Sequence, residues 1–325
     1  MAVSKLLGLP AFLFSVFAFY WSLPMLAITY RLRFLNLGKR NDMLDWGRGL
    51  VNFFAVTIYK VGDGSLYKGG SCLYLCNHRS WADFFIDIYI TEGRGAMMSR
   101  WLVFFVFPIF CSAVVTLKGI ILFKRGTIAD KEKFNAWLDA TLASSPVPGM
   151  LVYPEGHRSI KPHSLPLKRG MLHYAFSRKL PVQVIITRGK DDVLSEKTMA
   201  VHWRRQLVTS YGKVIKPSEC ASFDAFMHEV QTEWDKHWAE AYNAPKPPSK
   251  SLPRLVPAPH GYDYPLSMRL GMGSVTTFSI FAFAGVLYGT YCTALWVLAF
   301  TGAAQKVIVT VLALWMGLAL TRAVL

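Results

Sequence analysis

The sequence predicts an α/β domain built on a mixed sheet flanked by helices, with a membrane helix at its amino end and a membrane hairpin at its carboxyl end. Three observations predict it. Short strand-like runs alternate with longer amphipathic runs between residues 41 and 243, the pattern of a largely parallel or mixed sheet with active groups at strand ends. An unbroken apolar run fills Leu6 to Tyr30, and two more lie between Gly271 and Leu320.

The first run, "LLGLPAFLFSVFAFYWSLPMLAITY", is longer than the apolar part of a signal peptide and lacks a small-residue cleavage site. Residues 1–40 therefore read as a retained anchor or an interfacial helix, with Pro10 and Pro24 leaving its geometry open. Arg31, Arg33, Lys39 and Arg40 follow the run, against Lys5 before it, so the positive-inside rule places the next segment in the cytosol.

Residues 41–243 form the domain. "SCLYLC", "GIILFK", "GMLVYP", "PVQVIIT" and "QLVTSYGKVI" read as strands, and "WADFFIDIYI", "DKEKFNAWLDATL", "KRGMLHYAFSRK" and "FDAFMHEVQTEWDKHWAEAY" as helices. Trp101 to Leu117 is apolar throughout, with Pro108 inside. It fits a buried helix, or one that lies on the bilayer or lines an acyl channel. Residues 244–268 are proline-rich and predict an extended linker. Residues 269–325 predict a hairpin with both ends cytosolic, Arg269 before it and Arg322 after it. Its second run, Val307 to Leu320, is 14 residues; that is short for a span, so crossing and re-entrant forms both fit.

A chain of 325 residues that is 53% hydrophobic is too apolar for a disordered protein. Its formal charge of +16 suits anionic lipid headgroups, and the absence of a nucleic-acid module argues against a nucleic-acid partner. The five cysteines form no C-x-x-C motif and no disulfide framework, which suits a reducing compartment, and no metal-ligand set stands out.

The chemistry concentrates in "CLYLCNHRSWADFF", residues 72–85. His78 and Asp83 are five apart, about 140° around a helix, so a shared helix face does not join them. With "SCLYLC" as a strand and a helix from Trp81, His78 falls in the turn, Ser80 is an N-cap candidate and Asp83 the third helical residue. The turn can bring the imidazole back to the carboxylate, which would orient the ring and favour its protonated form. Taken alone, the pair reads first as a turn histidine beside a capping carboxylate. Further on, Arg125 with Lys124, and Arg158 in "YPEGHRS", end apolar strands and could grip an anionic headgroup. Gly156 would allow close backbone approach, and Glu155 could fix an arginine or orient the loop. Lys161, Lys168, Arg169, Arg188 and Lys190 are solvated charges or contacts for phosphates or the lipid surface.

These segments, in this order, resemble the glycerolipid acyltransferase family, whose members include 1-acylglycerol-3-phosphate acyltransferases. Asn77, His78 and Asp83 match NHxxxxD; Gly119 to Arg125 match the second motif; Tyr153 to Ser159 match F-P-E-G-T-R-S. His157 replaces the usual threonine, and the fourth motif, V-P-[IV]-x-P, survives only as "LPVQVIITRG" with Pro181. The resemblance implies transfer of a fatty acyl group from acyl-CoA, a co-substrate with no further cofactor, to the sn-2 hydroxyl of lysophosphatidic acid or a related lysophospholipid. It implies His78 as general base with Asp83 orienting it, and Asn77, Lys124, Arg125, Glu155, Gly156, Arg158 and Ser159 as substrate-binding residues. It also implies an endoplasmic reticulum membrane protein whose catalytic domain faces the cytosol. A CoA-independent phospholipid transacylase and a non-catalytic protein that binds anionic lipid remain the alternatives.

Overall fold

The computed structural model describes residues 2–31, 42–116, 119–124, 130–145, 147–246, 248, 251–257 and 266–325. Arg125 lies outside them. The centre is a seven-stranded sheet. In chain order its strands are β1 (Thr57–Val61), β2 (Leu73–Cys76), β3 (Gly95–Arg100), β4 (Ile120–Phe123), β5 (Gly149–Val152), β6 (Val182–Arg188) and, after the two-stranded ribbon β7 (Leu194–Ser195) and β8 (Ala200–Val201), β9 (Gln206–Ile215). The order across the sheet is β1-β9-β6-β2-β5-β3-β4. Every neighbouring pair is parallel except β6 with β9, so the sheet is mixed, as the sequence predicts.

Alternation along the central strand sorts side chains to two faces. Cys72, Tyr74 and Cys76 join a core with Trp46, Phe54, Phe85 and Ile88. These come from α2 (Asp42–Phe53), the residue after it, and α3 (Asp83–Ile90). Leu73 and Leu75 join the opposite core with Leu138, Leu172, Phe226 and Trp234. That face is covered by α6 (Lys131–Ala143), α7 (Gly170–Ser177) and α9 (Phe223–Asn243). With both faces covered, β2 is buried along its whole length, which is why it reads as an apolar run rather than an alternating one.

The apolar stretch within the domain breaks into α4 (Trp101–Val106) and α5 (Pro108–Thr116). Pro108 sits at the first position of α5, where its missing N–H costs no helical bond. The two halves differ. Leu102 is 65% and Phe105 75% exposed on α4, which buries no residue, whereas Phe110, Cys111 and Val114 of α5 belong to the core.

Helix α1 (Ala2–Arg31) carries Pro10 and Pro24 within it and packs on the domain rather than beside it. Phe12 stacks on Trp81, and Phe19 and Tyr20 meet Phe110. After the one-turn helix α8 (Lys190–Val193), the remaining helices are α10 (Leu266–Ala299) and α11 (Gln305–Val324). Lys5–Pro24, Ile280–Ala299 and Gln305–Val324 are each long and apolar enough to cross a bilayer. The last run therefore exceeds its apolar core: Gln305 and Lys306 begin the helix and Thr321–Val324 end it, giving 20 residues and about 30 Å of rise.

The proline-rich segment is more than a spacer. Leu255 N–H donates to Ile58 O at 2.8 Å, Lys60 N–H donates to Pro253 O at 2.9 Å, and Tyr59 and Arg254 form an antiparallel bridge. This part of the chain covers the outer edge of β1, where unpaired backbone groups would otherwise face solvent.

Candidate active site

Strands β6, β2 and β5 are adjacent and parallel, so their carboxyl ends open on one side of the sheet. The sequence just beyond each end supplies the site: Asn77 and His78 after β2, Tyr153 and Glu155 after β5, and Lys190 after β6. This is the position at which open α/β sheets place their reactive groups.

His78 is fixed by its backbone and its ring. Its N–H donates to Glu155 Oε2 at 2.8 Å, and its carbonyl accepts from Ser159 N–H at 3.0 Å. The ring Nδ1 lies 2.7 Å from Asp83 Oδ2, and the ring stacks on Tyr153 at 4.0 Å between centroids. Asp83 Oδ2 also accepts from the N–H groups of Arg79 at 2.6 Å and Ser80 at 3.0 Å. The carboxylate thus closes the turn and orients the imidazole together. Because it does so, α3 starts at Asp83 and not at Trp81, and its N-cap is Ala82 without a side-chain bond. Ser80, expected as the cap, accepts from the N–H of Ala82 at 3.2 Å, a cap-type bond made just before the helix, and gives its hydroxyl to the carbonyl of Lys190 at 2.9 Å.

Beneath the pair lies a charged cluster. Lys190 Nζ is 2.9 Å from both oxygens of Asp87, 3.5 Å from Asp83 Oδ1 and 2.6 Å from Asn77 O. Tyr153 OH donates to Asp87 Oδ2 at 2.9 Å. Burial alone would raise Asp83, but Lys190 and the hydrogen bond with His78 outweigh it and hold its carboxyl below the usual range. Asp87 shows the opposite balance: burial, aided by the charge of Asp83, exceeds the pull of Lys190 and pushes it up to about 7. Burial also opposes the charge on Lys190, yet the two aspartates overcome it and raise its pKa.

For His78 the outcome corrects the sequence expectation. Burial lowers its pKa by more than Asp83 raises it, with Arg158 and Lys190 adding to the lowering. The neutral ring is favoured. With Nδ1–H given to the anionic Asp83, the tautomer set by that bond leaves the Nε2 lone pair open. Among the described residues Nε2 has no hydrogen-bond partner, and the side chain keeps 21% exposure. A neutral imidazole so held can take a proton from a hydroxyl.

Several residues expected to touch substrate serve the frame instead. Asn77 is fully buried; its amide donates to Thr187 O at 3.0 Å and accepts from Thr187 N–H at 2.9 Å, clamping the end of β2 to β6. Glu155 is equally buried and spans His78 N–H and Leu165 N–H, the latter at 3.0 Å, so it orients loops and holds no arginine. Ser159 is buried and caps the N–H of Lys161 at 3.2 Å. Gly156 takes φ +76° and its carbonyl accepts from Arg100 at 3.2 Å, a backbone geometry suited to glycine. Arg158 remains at the surface of the site, its Nε 2.6 Å from Glu196. Lys124 is exposed beyond β4, an edge strand separated from β5 by β3.

Of the surface charges expected from sequence, Lys161, Lys168 and Arg169 are exposed, while Arg188 and Lys190 are buried. Arg188 donates to the carbonyls of Tyr242, Ala244 and Pro245 at the end of α9. Asp87, Lys190 and the hydroxyl of Tyr153 are the site residues that sequence reasoning missed. A charge inside the apolar run "FFIDIYI" was the available signal, since Asp87 faces the core at a position where a lone carboxylate would be costly.

The family model and a relative agree with the motif reading. The family model described as Acyltransferase matches residues 58–187. A 1-acyl-sn-glycerol-3-phosphate acyltransferase from Cocos nucifera is 24% identical over 128 residues, 39% of this chain and 40% of that protein. The chain thus spans less than half the length of that relative. The crystal structure of the 1-acyl-sn-glycerophosphate (LPA) acyltransferase PlsC from Thermotoga maritima is similar with a TM-score of 0.49 and 14% identity, over 60% of this chain and 76% of that one. The Acyltransferase match thus covers the middle of this chain, including the His78–Asp83 turn.

Proposed function

We propose that the protein is a membrane-bound acyltransferase that moves a fatty acyl group from acyl-CoA to the sn-2 hydroxyl of lysophosphatidic acid or a related lysophospholipid. The observation that carries this reading is the His78 Nδ1 to Asp83 Oδ2 contact of 2.7 Å at the end of β2, with Nε2 left open. In the proposed reaction Nε2 takes the hydroxyl proton as the oxygen attacks the thioester carbonyl carbon. The carbon–sulfur bond then breaks, and the CoA thiolate leaves with the proton returned from the imidazolium. Direct transfer is favoured over an acyl-enzyme because Cys76, the thiol nearest in sequence, is buried and burial pushes its pKa well up, which leaves it inert.

Arg158 and Arg125, supported by Lys124, would bind the acceptor's phosphate. Among the described residues the terminal nitrogens of Arg158 have no hydrogen bond, and a guanidinium suits phosphate oxygens. The apolar exposed face of α4, with α1, α10 and α11, would hold the domain at the bilayer where its acceptor and product reside. We place the domain on the cytosolic side of the endoplasmic reticulum membrane.

The test is acylation by the purified full-length chain with labelled oleoyl-CoA against a panel of lysolipids, beside His78→Ala and Asp83→Asn. Turnover strongest with lysophosphatidic acid and lost in His78→Ala is expected. Turnover retained in His78→Ala would sink the mechanism. Acylation only from a phospholipid donor would make the protein a transacylase, and headgroup binding without any acyl transfer would make it a lipid-binding protein.

A further inference from the structure

The proposed reaction requires a base and a carboxylate to orient it, but the site also encloses a full positive charge. Lys190 has 0% side-chain exposure, and an ammonium is expensive to bury. Its position accounts for it. Asp83 and Asp87 are four apart on α3, so both carboxylates face the same side, and two such groups in a buried site do not both ionise without a cation between them. Lys190 occupies that place, 3.5 Å from Asp83 Oδ1 and 2.9 Å from each Asp87 oxygen. Among the described residues Asp83 Oδ1 is buried and has no hydrogen bond; the ammonium is what faces it.

The imidazole is held twice, and both supports lead to this charge. Its edge meets Asp83, which Lys190 faces. Its face stacks on Tyr153 with planes 13° apart, and the Tyr153 hydroxyl is fixed by Asp87, which Lys190 also binds. We infer that Lys190, acting with Asp87 and Tyr153, is a positioning residue for the His78–Asp83 pair. This rests on the reading of His78 as the general base. Among the described residues the charged or titratable groups around His78 are Asp83, Lys190, Tyr153 and Arg158, with Glu155 on its backbone N–H. Lys190 both keeps Asp83 an acceptor and disfavours a second positive charge on the ring.

The experiment uses the full-length protein in detergent with Lys190→Met, Asp87→Asn and the double variant. Lys190→Met is expected to lower kcat at least about tenfold with donor and acceptor KM within about twofold, and to move the acid limb of kcat/KM to higher pH. The double variant removes one charge of each sign and so guards against simple failure to fold. It is expected to keep the low kcat, because Asp83 still lacks its cation. A double variant with wild-type kcat would show that Lys190 only neutralises Asp87 and would overturn the inference, as would Lys190→Met with unchanged kcat and acid limb.

A second measurement is independent of turnover. In ¹³C-histidine-labelled protein, with the His78 signal identified by its loss in His78→Gln, the midpoint should rise in Lys190→Met and fall in Asp87→Asn, where Lys190 faces Asp83 alone. Midpoints unmoved in Asp87→Asn, or in Lys190→Met where it folds, would also overturn it. If the wild type acylates no acceptor, the proposed function fails, while this titration still decides whether Lys190 governs the ring.

Discussion

Among the described residues two histidines bind carboxylates, and they differ in what is left over. His78 stands in a turn, gives Nδ1 to Asp83 and keeps Nε2 open with 21% of its side chain exposed. His237 lies inside α9 with 6% exposed. Its Nδ1 is 2.6 Å from Ser210 Oγ and 2.9 Å from Glu240 Oε2, and its Nε2 is 3.1 Å from Glu233 Oε2. Serine, histidine and glutamate thus meet in contact, the residue types of a nucleophilic triad, yet every ring nitrogen is spent and the serine is fully buried. The comparison teaches that a carboxylate beside a histidine marks function only when one ring nitrogen remains free and reachable. Otherwise it satisfies buried polar groups.

The sharpest way to break this contrast is to delete each ring. His78→Ala should reduce turnover by about 10²- to 10⁴-fold with an unchanged melting temperature. His237→Ala should do the reverse, costing about 1–3 kcal/mol of stability through the bonds lost to Ser210, Glu233 and Glu240, while turnover per folded molecule stays near wild type. A large loss of kcat in folded His237→Ala would erase the distinction.

The next test uses pH. His78 must be neutral to act, and burial lowers its pKa from the ordinary 6.5. The acid limb of kcat/KM should therefore fall below pH 6.5, since protonation of the base occurs only as pH drops through its lowered value. A limb centred above 7 would mean that Asp83 dominates and the ring is charged at rest.

Two smaller effects refine the comparison. Gly212 lets α9 approach β9: a Cβ there would come within 3.1 Å of the His237 ring and 3.2 Å of Glu233. Gly212→Ala should lower stability by about 1–3 kcal/mol and leave acyl transfer alone, measured by denaturation beside the assay. Arg158→Ala should raise the acceptor KM by about three- to tenfold, or up to about 1.4 kcal/mol, with kcat and donor KM unchanged. Unaltered acceptor kinetics would remove Arg158 from headgroup binding.

The strands that sequence made plain are the buried central ones, where apolar runs are continuous, together with β4 at the edge and β9. "SCLYLC" and "GMLVYP" contain β2 and β5, and "PVQVIIT" contains β6 up to Thr187. Strands β1 and β3 escaped. "GAMMSR" has no β-branched residue and becomes a strand because β5 and β4 pair with it on either side, a tertiary effect that outweighs local propensity. Gly95 suits that slot, since a Cβ would meet the backbone of Met150 and Leu151 at 3.0 Å. In the site, the turn between β2 and α3 was legible because His78 and Asp83 are close in sequence. Lys190 was not, because "TRGKDD" reads locally as a solvated charge run.

By itself the sequence determined the alternation of strands and helices, the apolar runs of membrane length, and the order of motifs that puts an imidazole just beyond a buried strand. These depend on local periodicity and on neighbours within a turn. Only the tertiary structure decided the protonation state of that imidazole, the burial of Lys190 and the length of the last helix. Pairing β2 with β6 brings Lys190 against Asp87, 103 residues away along the chain, and at that range burial and charge are set by packing, which no local pattern encodes.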